Sequence, residues 1–252
     1  MTVYFVGAGP GAADLITLRG QRLLAGADVV IYAGSLVNPA LLDAVRPGCR
    51  LFDSATMTLD DVLAVIVEAE GRGETTVRLH SGDPSLYGAI SEQMRALDRL
   101  GIAYDVCPGV SSFSGAAAAL QVEYTVPEVT QSVVITRMPG RTPMPAGESM
   151  AGFARHGSTM VVFLSAGLLE QLAAELVAGG RSPDESAAIV YKATWPDERV
   201  FACTIGTLAA TAAANGIRST ALIVVGPCLD PSGNVSRLYA NDFATGFREA
   251  RP

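Results

Sequence analysis

Gly7, Gly9 and Ala12 close the strand-like run VYFVG in the order G-x-G-x-x-A. Glycines at that spacing let a ligand approach the backbone, and a helix that follows at once presents its N-terminal N–H groups to a pyrophosphate. The chemistry is therefore that of a dinucleotide site or of another small-molecule site with a similar loop. Two features weigh against the dinucleotide. Pro10, Gly11, Ala12, Ala13 and Asp14 delay the helix, and Asp14 brings negative charge to where phosphate would sit. The second strand, VVIYAGS, ends without the acidic residue that would hold a ribose, because Asp28 stands at its start. Three further strand ends carry comparable small and polar residues: YAGS (32–35), HSGDPSLYG (80–88) and CPGVSSF (107–113). Ligands of open parallel sheets gather at the carboxyl ends of strands, so these loops are candidates for one shared rim.

The elements that must position these residues alternate. Strands are predicted at 2–9, 28–34, 50–54, 75–83 and 102–109. Helical spacing of apolar residues appears at 16–27 and 60–70. Asp83-Pro84 reads as a helix start, with Asp83 as N-cap and Gly101 as the close. Ser111 or Ser112 caps an alanine-rich helix running to about Leu120. Strands separated by helices imply a mainly parallel sheet covered on both faces. EYTVPE (123–128) breaks the pattern, which sets domains at 1–122 and 123–252. The second part has strands near 131–137, 159–165, 187–192, 199–205 and 220–226, with helices near 166–179 and 206–214. YKATWPDERVFACTIG reads as an antiparallel pair joined by a short Pro-Asp turn, so this sheet is expected to be mixed. The fold class is thus α/β, with two α/β domains. RMPGRTPMPAGES (137–149) is a long surface loop, either a lid or a connection.

The 252 residues carry an apolar share of 49% and a charged share of 17%, enough for packed cores and too ordered a composition for a disordered chain. The longest apolar runs are too short to span a bilayer, and no basic-then-apolar leader opens the chain. Cys49, Cys107, Cys203 and Cys228 are widely spaced, which reads as reduced thiols in a cytoplasmic protein. A formal charge of −7 without a basic patch argues against nucleic acid as a partner. Lys192 is the only lysine among 18 basic residues; arginines suit bidentate capture of carboxylates. His80 and His156 lack neighbouring ligands, so no metal site is expected.

GAGPGAADLITLRG, SGDPSLYG and PGVSSFSGAAAAL, in order and followed by the closing strand STALIVVG, together resemble the tetrapyrrole methylases, the class III S-adenosylmethionine-dependent methyltransferases. YAGSLVNPALL narrows the likeness to members acting on corrin precursors. The resemblance implies two domains with the active site in the cleft between them, and a homodimer. It implies methyl transfer from S-adenosyl-L-methionine to a carbon of a tetrapyrrole substrate. Carried onto the matching motifs, it implies cofactor contacts from Pro10, Ser81, Gly82, Asp83, Tyr87, Ser111, Ser112, Leu164, Ala193, Thr220, Ala221 and Leu222. The substrate's acetate and propionate groups point to Arg137 and Arg141, which flank the long loop, as substrate-binding residues, with Arg199 a further basic residue near the site. Sulfonium methyl transfer releases a neutral leaving group and rests on alignment, which agrees with a sequence offering no triad, metal cluster or acid–base pair. No residue stands out as the acceptor of the proton lost afterwards.

Ordinary structural readings stand beside these. Asp83, Ser111 and Ser112 are natural helix caps, and Tyr87 fits a core position. His80 reads first as a hydrogen-bonded strand-end residue, and Trp195 either lines a substrate cavity or covers the antiparallel pair. The competing functions are a tetrapyrrole methylase acting on another ring carbon, an NAD(P)-dependent oxidoreductase, and a non-catalytic carrier of cofactor or tetrapyrrole.

Overall fold

The computed structural model describes residues 2–230 and 240–251. The chain divides into two compact units, Met1–Ala116 with Lys192–Glu198, and Ala117–Tyr191 with Arg199–Pro252.

The first unit holds a five-stranded sheet of β1 (Thr2–Gly7), β2 (Val29–Tyr32), β3 (Arg50–Asp53), β4 (Thr76–His80) and β5 (Ala103–Cys107), in the order β3-β2-β4-β1-β5. Every pairing is parallel, so all carboxyl ends lie along one rim. Alternation along the strands feeds two cores. Val3, Phe5, Val29 and Ile31 pack with Val62 and Ile66 of α2 (Leu59–Gly71) and Leu97 of α3 (Ile90–Leu100). Val6, Val30, Val77 and Leu79 face Leu24 of α1 (Leu18–Gly26). Burying a side chain of this size contributes about 1.5–3 kcal/mol. Helix starts follow local chemistry: the Thr17 hydroxyl accepts from Gly20 N at 3.0 Å, and Thr58 and Asp61 form a capping box at α2.

The second unit holds β6 (Val133–Arg137), β7 (Thr159–Phe163), β8 (Ser186–Tyr191), β9 (Arg199–Thr204) and β10 (Ala221–Val225), ordered β6-β7-β10-β8-β9. β6 and β7 are parallel and the other pairings antiparallel, giving the expected mixed sheet. Leu169, Leu172 and Leu176 of α6 (Leu169–Ala178) pack with Met160, Ile189 and Ile223, and α7 (Leu208–Ala214) adds Leu208. Two arginines illustrate how this unit treats charge. Arg181, buried below α6, donates to the carbonyls of Ala154 and Ser158 and pairs with Glu185. Arg199 stacks its guanidinium on Tyr191 and Phe201, 4.8 and 5.7 Å from the ring centres.

Two local expectations change. Asp83 does not begin a helix: Asp83–Leu86 is a turn, and α3 starts only at Ile90. Backbone left-handed at Tyr87 (φ 58°) and Ala89 (φ 51°) interrupts the run, and periodicity carries no sign of it. The Pro-Asp stretch is no short turn: β8 and β9 pair, yet the connecting Lys192–Glu198 belongs to the first unit. A short helix α4 (Ser112–Leu120) begins as expected, whereas α5 (Met150–Ala154), capped by Ser149 at the end of the Pro-rich loop, was too brief for periodicity to reveal. No described helix is long and apolar enough to cross a membrane.

Candidate active site

The strand order places β1 and β4 side by side, with chain connections leaving them toward opposite edges of the sheet. Both strands run parallel, so the loops that follow them leave the same rim of the sheet, the end where ligands of open α/β sheets gather. The loops after these strands are stitched together: Ala8 N donates to His80 O at 2.7 Å and Gly82 N to Gly9 O at 2.8 Å. The loop after β5 joins them, since Gly109 N donates to the Asp83 carboxylate at 2.9 Å. Backbone crowding explains Gly109: a Cβ there would overlap the Gly82 carbonyl oxygen and the Gly7 backbone.

The segment Lys192–Glu198 closes on the same loops. Ala12 N donates to Thr194 Oγ1 at 3.0 Å, the Trp195 indole lies against Gly11, and Glu198 accepts from Thr194 N. Lys192 and Thr194 both hold left-handed backbone, at φ 49° and 67°. Such strain persists only where surroundings over-determine it. The Lys192 ammonium pairs with Asp197 at 2.6 Å and stands over the Trp195 ring. Asn38, inside YAGSLVNPALL, donates to Gly11 O at 2.8 Å while its Oδ1 caps the 3-10 turn Pro39–Ala44. The Trp195 ring thus packs against the glycine loop.

The turn that would make a dinucleotide site is absent. Between β1 and α1 the chain takes a 3-10 turn at Ala13–Leu15 and then Thr17 caps the helix, so no helix N-terminus meets the glycines.

Of the sequence-predicted residues, Pro10, Ser81, Gly82, Asp83, Tyr87, Ser111, Ser112 and Ala193 all fall in the first unit, on these joined loops or the segment packed against them. Pro10, Gly82, Ser111 and Ala193 are buried, and Tyr87 is 44% exposed. Leu164, Thr220, Ala221 and Leu222 fall in the second unit. There, the register sets Arg137 beside Phe163 and Ala221 beside Tyr191, so the ends of β6, β7 and β8 share one edge with the start of β10. Leu164 is 67% exposed with φ 54°, and the buried Ser165 hydroxyl fixes that kink by accepting from Met138 N and donating to Phe163 O. Thr220 is also left-handed, at φ 53°. Arg137 spends its guanidinium on Met138 O, Thr142 O and Pro143 O, which orders the long loop, while Arg141 is exposed. His156 is exposed.

Electrostatically the first-unit loops are neutral or spoken for. Burial pushes the Asp83 carboxyl upward, but hydrogen bonds from Ser85 and Gly109 outweigh it and hold the group below its ordinary value. His80 is 5% exposed, and its Nε2 has no hydrogen-bond partner among the described residues. Burial first, and then the Arg78 charge, pull its pKa down to about 3, so the imidazole is neutral. Ser81, Ser111, Ser112 and backbone groups remain as uncharged donors and acceptors. This set is compatible with S-adenosylmethionine, because hydroxyls and backbone groups suit a ribose and an amino-acid end. Asn38 and Thr194 carry no local sequence signal of these contacts; Asn38 lies within YAGSLVNPALL, but its bond to Gly11 depends on a tertiary approach.

The chain resembles proteins of known activity along nearly its whole length. The profile of the Tetrapyrrole (Corrin/Porphyrin) Methylases matches residues 2–209. Precorrin-4 C(11)-methyltransferase from Sinorhizobium sp is 48% identical over 252 residues, covering 98% of each chain. Cobalt-precorrin-4 C(11)-methyltransferase from Methanocaldococcus jannaschii is 44% identical, covering 98% of this chain and 96% of that protein. Among solved structures, a cobalt precorrin-4 methyltransferase of cobalamin biosynthesis superposes with a TM-score of 0.89 at 43% identity, over 91% of this chain and 96% of that one. Uroporphyrin-III C-methyl transferase from Thermus thermophilus, solved with S-adenyl homocysteine, gives 0.76 at 29%, over 93% and 96%.

Proposed function

The chain belongs to the tetrapyrrole (corrin/porphyrin) methylases, and from that membership we propose that it transfers a methyl group from S-adenosyl-L-methionine to C11 of precorrin-4 in cobalamin biosynthesis. The products are precorrin-5 and S-adenosylhomocysteine. The observation that carries the ring position is the likeness to precorrin-4 C11-methyltransferases over almost the full length of both chains. A cobalt-bearing form of the same macrocycle is the second reading, supported by the relatives named for it.

When bound, the cofactor supplies a methyl group on a positively charged sulfur. The chain's own part is to hold, align and exclude water. Pro10, Ser81, Gly82, Asp83, Tyr87, Ser111, Ser112 and Ala193 are proposed as its contacts in the first unit, with Leu164 and Thr220–Leu222 in the second. Asp83 acts there as a tie between loops, because its oxygens already accept from Ser85 and Gly109. A neutral His80 behind Ser81 spares the sulfonium a repelling charge. Arg141 and Arg137 are proposed to meet the substrate's carboxylates; Arg141 is the cleaner probe, since Arg137 also supports its own loop. The same reading has the protein working as a cytoplasmic homodimer on a small-molecule tetrapyrrole, and its charge of −7 is unsuited to nucleic acid.

The test is turnover. Precorrin-4 with S-adenosylmethionine is expected to gain the mass of one methyl group, with the new carbon at C11 by NMR. Methylation at another carbon, or none on either the metal-free or the cobalt substrate, overturns the assignment.

A further inference from the structure

Arg78 is a buried cation on β4, 7% exposed, and no carboxylate pairs with it among the described residues. Its partners are neutral. Nη1 donates to Ile31 O at 3.1 Å, and Nε donates to the Gln93 side-chain oxygen at 3.3 Å. Gln93, 5% exposed on α3, in turn donates from Nε2 to Ala89 O at 3.1 Å. A guanidinium can only donate, so the Gln93 oxygen must face Arg78 and its NH2 must face Ala89. The relay thus has a fixed polarity. It ends on the stretch that delays α3, where Tyr87 and Ala89 both hold left-handed backbone. Between them Gly88 lies so close to Pro84 that a Cβ would overlap the Pro84 carbonyl oxygen.

Strain of this kind needs an anchor, and the strained turn continues directly from Ser81-Gly82-Asp83. We infer that Arg78 and Gln93 are positioning residues for the cofactor loop: the guanidinium orients the Gln93 amide, the amide pins the Ala89 carbonyl, and the pinned turn presents Ser81–Tyr87 to the cofactor. The inference rests on the cofactor assignment above and names a part of the chain outside the loops themselves.

Gln93→Glu separates this role from simple packing. The carboxylate still accepts from Arg78, now as an ion pair, but has no hydrogen to give Ala89. Melting temperature is therefore expected to match or exceed that of the unaltered protein. The dissociation constant for S-adenosylhomocysteine, by titration calorimetry, and KM for S-adenosylmethionine are expected to rise about tenfold, with kcat within about twofold. Gln93→Met, which breaks both links, is expected to lose stability as well as affinity. Tight binding by the Gln93→Glu protein, within about twofold of the unaltered one, overturns the inference alone. Absence of S-adenosylhomocysteine binding by the unaltered protein overturns the cofactor assignment and this inference with it.

Discussion

The His80 imidazole lies beside Phe5, with ring centres 6.0 Å apart, and two positions along the strand from the Arg78 guanidinium. Protonating it would add a second charge where water does not reach. Its pKa falls to about 3, through burial first and Arg78 second. The unfolded chain takes up a proton near the ordinary value of about 6.5, whereas the folded protein does not. The stability this group contributes is therefore present above that value and is lost as pH falls from there toward about 3. Between about pH 7.5 and about pH 5 the loss is about 2 kcal/mol. His80→Gln removes the titration. Denaturant unfolding at the two pH values is expected to show the unaltered protein losing about 2 kcal/mol more than the variant; equal losses would mean the imidazole is solvated.

Among the described residues, β7 and β8 end directly in non-glycine residues with left-handed backbone, Leu164 and Lys192, and the turn after β7 shows why that matters. Leu164 is left-handed, which costs about 1–2 kcal/mol for a residue with a Cβ. It recovers little by burial, being 67% exposed. The Ser165 hydroxyl holds the turn regardless of the side chain at 164. Leu164→Gly is thus expected to leave thermal stability equal or higher while weakening S-adenosylhomocysteine binding several-fold, as read by differential scanning fluorimetry and calorimetry. Unchanged affinity would remove Leu164 from the contact set. The Thr194 turn makes the complementary case, because there the side chain itself is the clamp. Thr194→Val keeps the branched shape but removes the acceptor for Ala12 N, at about 1–3 kcal/mol for an orphaned donor. Chemical denaturation is expected to show that loss; no loss would mean water replaces the hydroxyl.

For the whole molecule, a ligand that binds only the folded chain stabilises it by mass action, by about 2.7 kcal/mol at a hundred times its dissociation constant. S-adenosylhomocysteine is expected to raise the melting temperature on this scale, and NAD at equal concentration to leave it unchanged. The reverse result would return the glycine loop to the dinucleotide reading, against the delayed helix seen between β1 and α1. The proposed homodimer predicts twice the chain mass by light scattering coupled to gel filtration.

Much of this was legible in the sequence. Alternating apolar runs and helical spacing located the ten strands of the described residues and the longer helices, because burial of one face leaves a period in the chain. Three ordered motifs identified the family, whereas the glycines at the ends of β1 and β5, read as room for a ligand, prove to be packed against one another's backbone. What the sequence could not carry was direction at single residues and contact across long separations. Asp83 has the composition of a helix cap, yet its second oxygen holds Gly109, and the helix waits for two left-handed residues to pass. Lys192–Glu198 reads as a hairpin turn because its strands do pair, but the turn packs on Gly11 and Ala12, far back in the chain. Periodicity records which face of an element is buried; only the folded backbone decides which distant carbonyl or amide a given side chain meets, and that decision set the shape of the loops at the rim of the first sheet.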